Sequence, residues 1–124
     1  MSDLLQSIFL VLIFFVAGFN KIFNFKATSL GLKSKTNMTF LPNLFFYLAI
    51  LVAILIEIVA PIFVVTYTIN YTSKTLAKIS LLALILFTIL ASLIYHFPGI
   101  KSERIPFMKN LAIIGGLWAF YSKL

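Results

Sequence analysis

The charged side chains of this chain are gathered into short segments, and the long apolar blocks left between them restrict what it can fold into. Leu4 to Asn20 carries no charge, Thr36 to Tyr71 carries only Glu57, and neither Ile79 to Ile100 nor Asn110 to Ser122 carries any. Charged residues make up 10% of the 124 positions, whereas a soluble domain needs about one quarter to coat its surface. With 62% hydrophobic residues and a mean hydropathy of +1.11, an ordinary soluble globule is excluded. Four spanning helices of about 20 residues would use about 80 positions and leave the remainder for ends and connections. Barrel strands alternate apolar and polar residues, but LVAILIEIVAPIFVV is apolar on nearly every face. The expected fold is therefore all-α, an integral membrane antiparallel four-helix bundle forming a single domain over 1-124. Its helices are expected at about 4-23, 44-67, 76-95 and 106-121.

Missing residue types exclude several chemistries. With no cysteine there is no disulfide, no CxxC redox pair and no iron-sulfur ligation within the chain, and thiol-based quinone reductases of four-helix type are excluded. His96 is the single histidine, so the chain alone cannot hold a haem between two imidazoles, and a zinc or di-iron site would lack ligands. No metal site and no catalytic residue is expected. The net charge of +7 comes from basic residues flanking apolar runs, which is the pattern of a membrane surface and not of a nucleic-acid binder.

The first apolar run follows Met1 closely but lacks a basic lead and a small-x-small cleavage site, so it is expected to be retained as a helix. Between helices one and two, NFKATSLGLKSKTNMTFLPN is too polar to span and is expected to lie along the interface. Pro98-Gly99 breaks the chain after helix three, and Pro106 suits the first turn of helix four. Antiparallel packing gathers Lys21, Lys26, Lys33, Lys35, Lys101, Arg104 and Lys109 on one side, against Lys74, Lys78 and Lys123 on the side of the termini. The positive-inside rule then turns the termini away from the cytoplasm or matrix. Asn37-Met38-Thr39 and Asn70-Tyr71-Thr72 match the glycosylation sequon but fall on opposite sides, so they read as chance matches.

Glu57 is the most informative polar residue. About 13 residues, or about 20 Å, separate it from Leu44, which places it near half depth. An ionised carboxylate costs about 3 kcal/mol there on insertion scales, so it should face the bundle interior. Ala49, Ala53 and Ala60 share its helical face and allow a neighbouring helix close approach. Pro61, four residues on, cannot donate to the Glu57 carbonyl, so it either bends the helix for packing or frees a ligand group.

Thr88, Ser92 and His96 recur at i, i+4 along helix three and should form a polar stripe. Lys21, Lys109 and Asn110 start from the same side of the bilayer. Together these residues outline a cationic mouth leading past Ser92 and Thr88 to Glu57. Snorkelling lysines and hydroxyls bonded back to their own helix are the structural alternative. Direct contact between Glu57 and Lys21 is not expected, because their depths differ by more than about 10 Å if helices one and two begin and end level with each other, beyond a lysine's reach. In helix four, Ala112, Gly115, Gly116 and Ala119 suit tight helix packing, as does Gly18 in helix one. Tyr67, Tyr71, Tyr95, Trp118 and Tyr121 lie near span ends and suit interfacial anchoring.

Phe107-Met108-Lys109-Asn110-Leu111-Ala112-Ile113-Ile114-Gly115-Gly116-Leu117 resembles the F-x-K-N-L-A-I-x-G-G-L signature of the DoxX family. Ala17-Gly18-Phe19-Asn20-Lys21, Glu57 and His96-Phe97 follow in the family's order, so the resemblance covers nearly the whole chain. An arginine usual early in the family's first helix has no counterpart, and Pro61 stands where many members have small residues. The resemblance implies a four-helix membrane fold and carries over Gly18, Lys21, Glu57, His96, Lys109, Asn110, Gly115 and Gly116. It also implies links to quinone-coupled thiosulfate oxidation, to membrane-associated oxidoreductase complexes, and to membrane-protein assembly and cargo export.

The function expected from these features is that of a non-catalytic accessory subunit or assembly partner of a larger membrane complex, most naturally a respiratory or quinone-linked oxidoreductase. Its setting would be a bacterial cytoplasmic membrane or a mitochondrial inner membrane. The alternative is a binder or carrier of a quinone, lipid or other small amphiphile using Glu57 and the cationic mouth, with no cofactor held by the chain alone. A proton-coupled small exporter is a weaker variant, because the glutamate typical of such proteins lies in their first helix.

Overall fold

The structure, a computed structural model, describes residues 2–95, 102 and 104–124. It is all-helical among those residues, with five helices: α1 (Ser2–Phe23), α2 (Phe25–Thr36), α3 (Asn43–Thr68), α4 (Lys74–Tyr95) and α5 (Arg104–Lys123). Helices occupy most of the described residues of the four apolar blocks because their backbone polar groups can be satisfied without water only within a helix, and Pro61 is accommodated inside α3 without ending it. Pro42 and Ser73 precede α3 and α4, where Ser73 Oγ accepts from the Leu76 amide at 3.2 Å as an N-cap. Asn37 and Asn70 take the left-handed conformation that lets the chain reverse after α2 and α3.

Three of these helices, Asp3–Phe23, Asn43–Thr68 and Lys74–Tyr95, are long and apolar enough to cross a membrane. Their outward faces carry residues such as Phe9, Leu48, Leu86 and Leu90, an apolar belt compatible with a bilayer. The fourth helix expected to span, α5, is not among these three. Its uncharged stretch lies between Lys109 and Lys123, and the apolar part from Leu111 to Tyr121 covers only about 16 Å, half a bilayer core.

The segment after α1, expected only to lie along the interface, forms the helix α2, joined to α1 through Asn24, whose φ of −122° and ψ of 36° break the helical path. Asn24 Nδ2 donates to both the Asn20 carbonyl and Asn20 Oδ1 at 3.1 Å, closing the corner. α2 then runs beside the first turns of α3, where Phe25 stacks on Tyr47 at 5.7 Å and Lys33 Nζ donates to Asn43 Oδ1 at 2.8 Å.

α3 packs against α1, α2 and α4, and α5 packs against α4 and α1. The compact apolar core draws on Val11 and Phe14 of α1, Ala60 and Val64 of α3, Leu81 and Leu84 of α4, and Leu117 and Phe120 of α5. All of these lie in the half nearer the chain termini, where Lys123 Nζ reaches Asp3 Oδ1 at 2.9 Å and Gln6 Oε1 at 2.7 Å. The opposite half holds buried Phe46, Ile50 and Ile54 of α3 and the buried hydroxyls of Thr88 and Ser92 on α4.

Candidate functional site

Gly18 determines how α1 meets α3. A Cβ at this position would lie 2.7 Å from Ile58 Cγ1 and 3.2 Å from Glu57 Cβ, so the α1 backbone presses directly on the turn of α3 that carries the carboxylate. Lys21, one turn beyond Gly18 on the same face, is thereby brought level with Glu57. Its Nζ sits 2.6 Å from Glu57 Oε1, and Glu57 is only 2% exposed. The approach is short but poorly aligned, giving Oε1 an ionic partner without a well-directed hydrogen bond. Lys21 Nζ also lies 5.8 Å from the centroid of the Phe87 ring on α4, a cation–π contact that holds the ammonium from its other side.

This direct pair overturns the separation expected from helix lengths. That expectation required the end of α1 to be level with the start of α3. Instead α2 covers the first turns of α3, and α1 stops near its middle. Burial of Glu57 agrees with its assignment to the interior.

Two cavities adjoin Lys21. One, about 550 Å³, is bounded by α3 and α4 through Ala49, Ile50, Ala53, Leu86 and Leu90. The other, about 500 Å³, is bounded by the polar side chains Asn20, Thr28 and Asn110. Lys21, Phe87, Ala91 and Tyr95 line both. Volumes of this size are typical of small-molecule sites. Phe87, Asn20, Thr28 and Tyr95 were not marked as site residues by sequence reasoning. Phe87, Ala91 and Tyr95 recur at i, i+4 and could have been read as a stripe, but nothing in their residue types distinguishes it from lipid contact.

The hydroxyl stripe on α4 is buried at Thr88 and Ser92, one position round the helix from this wall. Thr88 Oγ1 donates to the Leu84 carbonyl at 2.7 Å and Ser92 Oγ to the Thr88 carbonyl at 2.6 Å, the self-bonded arrangement of the structural alternative. Ser7, Ser29 and Ser80 are buried in the same manner. Ser92 does more, since Asn110 Nδ2 donates to its Oγ at 3.0 Å and ties α5 to α4. Combined Ser92→Ala and Asn110→Leu substitutions should show a coupling of about 0.6 kcal/mol, the average for interhelical hydrogen bonds in membranes. Unfolding of the singles and the double in mixed micelles measures it.

Lys109 is exposed and stands apart from the cluster into which it had been placed, and His96 lies outside the described residues. Among the packing residues, Ala53, Ala60 and Pro61 are buried, Ala49 is half-buried, and Gly116 abuts Leu10, with a Cβ there falling 3.0 Å from Leu10 Cδ1. Ala112 and Gly115 depart from expectation. Both are exposed, and a Cβ at Gly115 would meet nothing within 4 Å, so their face of α5 is turned away from the other helices. Among the described residues no group of His, Asp and Glu side chains could hold a metal ion. Comparison with protein-family models, with curated proteins and with solved structures finds no match for this chain.

Proposed function

We propose that this chain is a DoxX-like membrane bundle that binds a small amphiphile, a quinone or lipid, beside Lys21. The observation that carries the reading is the pair of adjoining cavities, one apolar and one bounded by polar side chains, with the Lys21 ammonium on their shared wall. An acyl or isoprenoid tail would lie between α3 and α4, whose rim residues Val52, Leu86 and Leu90 are exposed and would open the cavity laterally to a bilayer. The polar head would meet Lys21 and the amides beside it. In this arrangement α1, α3 and α4 span, and α5 completes the bundle with Lys109 and Lys123 extended to opposite interfaces. The excess of lysine at the α2 end would face the cytoplasm or matrix.

Gentle extraction followed by mass spectrometry of associated small molecules tests this reading. A retained amphiphile that disappears in Ala49→Phe, which fills the apolar cavity from a half-buried position, is the expected result. Equal content in both proteins would remove the reading.

The outward Ala112, Gly115 and Ala119 face of α5 favours a second function beside the first, that of an accessory subunit in a larger membrane complex such as a quinone-linked oxidoreductase. Small residues exposed at i, i+3 and i+7 admit a foreign helix closely. Gly115→Leu should not destabilise the isolated chain, gaining up to about 1 kcal/mol from helix propensity, while abolishing co-purification of larger partners in mild detergent. Retention of the same partners by the variant would count against it.

A further inference from the structure

The charge balance at Lys21 allows the head group to be specified, given the amphiphile cavity proposed above. We infer that the site selects an electrically neutral head bearing a hydrogen-bond-accepting oxygen, such as a hydroxyl or carbonyl, over an anionic or cationic head on the same tail.

Neutrality follows from the ion pair. With Lys21 Nζ 2.6 Å from a carboxylate that is 2% exposed, the charges on the cavity wall cancel. An anion arriving at Lys21 would compete with Glu57 and leave an uncompensated negative charge among packed helices. A cation would compete with Lys21 for Glu57 and strand a positive one. Either outcome carries the cost of a lone charge in an apolar surround. Among the described residues, the other charged side chains at this end of the fold, Lys26, Lys33, Lys35, Arg104 and Lys109, do not line either cavity.

Acceptor character follows from the hydrogen-bond inventory. An ammonium has three N–H groups, and Glu57 can engage only part of them. Asn110 gives one amide hydrogen to Ser92 Oγ and retains the other. Asn20 Oδ1 accepts from Asn24, which leaves the Asn20 amino group to donate. Thr28 and Tyr95 add hydroxyls to the same polar chamber. Asn110 Oδ1 and these hydroxyls can also accept, but at Lys21 itself only donors are present, and an oxygen acceptor there uses the ammonium's remaining N–H capacity without changing the charge.

The test uses the full chain in nanodiscs of phosphatidylcholine, in alkaline buffer where a fatty acid is ionised. A diazirine-bearing hexadecanol is photolysed, and unlabelled hexadecanol, palmitate and hexadecyltrimethylammonium compete at equal mole fraction in the bilayer. Saturable labelling of the α3 and α4 peptides containing Ala53 and Leu90 is expected, with hexadecanol competing at least about tenfold better than either charged probe, a discrimination of about 1.4 kcal/mol. Palmitate or hexadecyltrimethylammonium competing as well as hexadecanol would overturn the head-group selectivity while leaving the cavity reading intact. No saturable labelling of those peptides would overturn both. Glu57→Gln gives an independent arm, because it leaves Lys21 uncompensated and should move the preference to palmitate by about tenfold or more. An unchanged order of competition in folded Glu57→Gln would also overturn the inference, and the wild-type series stands without that variant.

Discussion

Replacing Lys21 with methionine is expected to destabilise the fold by about 3–5 kcal/mol, the cost of stripping one partner from a buried ion pair. The size comes from what remains. Methionine keeps most of the lysine's length and its contact with Phe87, whereas the Glu57 carboxylate, 2% exposed, loses the ammonium 2.6 Å from Oε1. Replacing both members, as Lys21→Met with Glu57→Leu, removes the stranded charge and should restore stability to within about 1 kcal/mol of the starting protein or exceed it. Unfolding by SDS in mixed micelles, run on the two singles and the double, gives the coupling directly. A double variant no more stable than Lys21→Met would show that the pair is not what holds this region. Under the proposed function, a stable double that has also lost its amphiphile would mean that the ion pair is kept for binding, since an apolar pair would pack as well.

Gly18→Val is expected to be the other severe change. Even alanine would place its Cβ 2.7 Å from Ile58 Cγ1 and 3.2 Å from Glu57 Cβ. Ile58 Cγ1 is one bond from its own Cβ on a branched, rotamer-restricted side chain, so it cannot swing clear as the tip of a long side chain would. Overpacking of this kind costs about 1–3 kcal/mol for a single methyl group, and valine adds two more carbons. α1 must then lift from α3, which withdraws Lys21 from Glu57 and adds part of the ion-pair penalty. Expected results are greater loss in Gly18→Val than in Gly18→Ala by SDS unfolding, and less than additive loss when Gly18→Val is combined with Lys21→Met. Gly115 supplies the control, because a Cβ there meets nothing, and Gly115→Ala should gain up to about 1 kcal/mol from helix propensity alone.

The parts of the site that were legible in sequence were those governed by burial cost. A carboxylate in the middle of an apolar run must be enclosed, and Glu57 is. Gly18 was expected to suit tight helix packing, and its backbone lies close against α3. Relations governed by register were not legible. The depth of Lys21 depended on where α1 stops relative to α3, and the polar composition of α2 concealed a helix in a segment expected only to lie along the interface. Ala112 and Gly115 show the same limit, since a run of small residues marks a face suited to contact without naming what lies against it.

The sequence by itself determined a helical chain, because backbone polar groups in uncharged, strand-incompatible runs can be satisfied only within helices, whereas the structure shows that three of the four expected spans are long and apolar enough to cross a membrane. It also determined that Glu57 would be interior, since the alternative is energetically closed. Only the tertiary structure decided that Lys21 is the group that meets it, that Lys109 is not, and that Phe87 and Tyr95 wall the cavities beside it. The physical reason is that one helix can slide or rotate against another at nearly constant apolar burial, so periodicity leaves the register open. A backbone contact at Gly18 and a kink at Asn24 fix it.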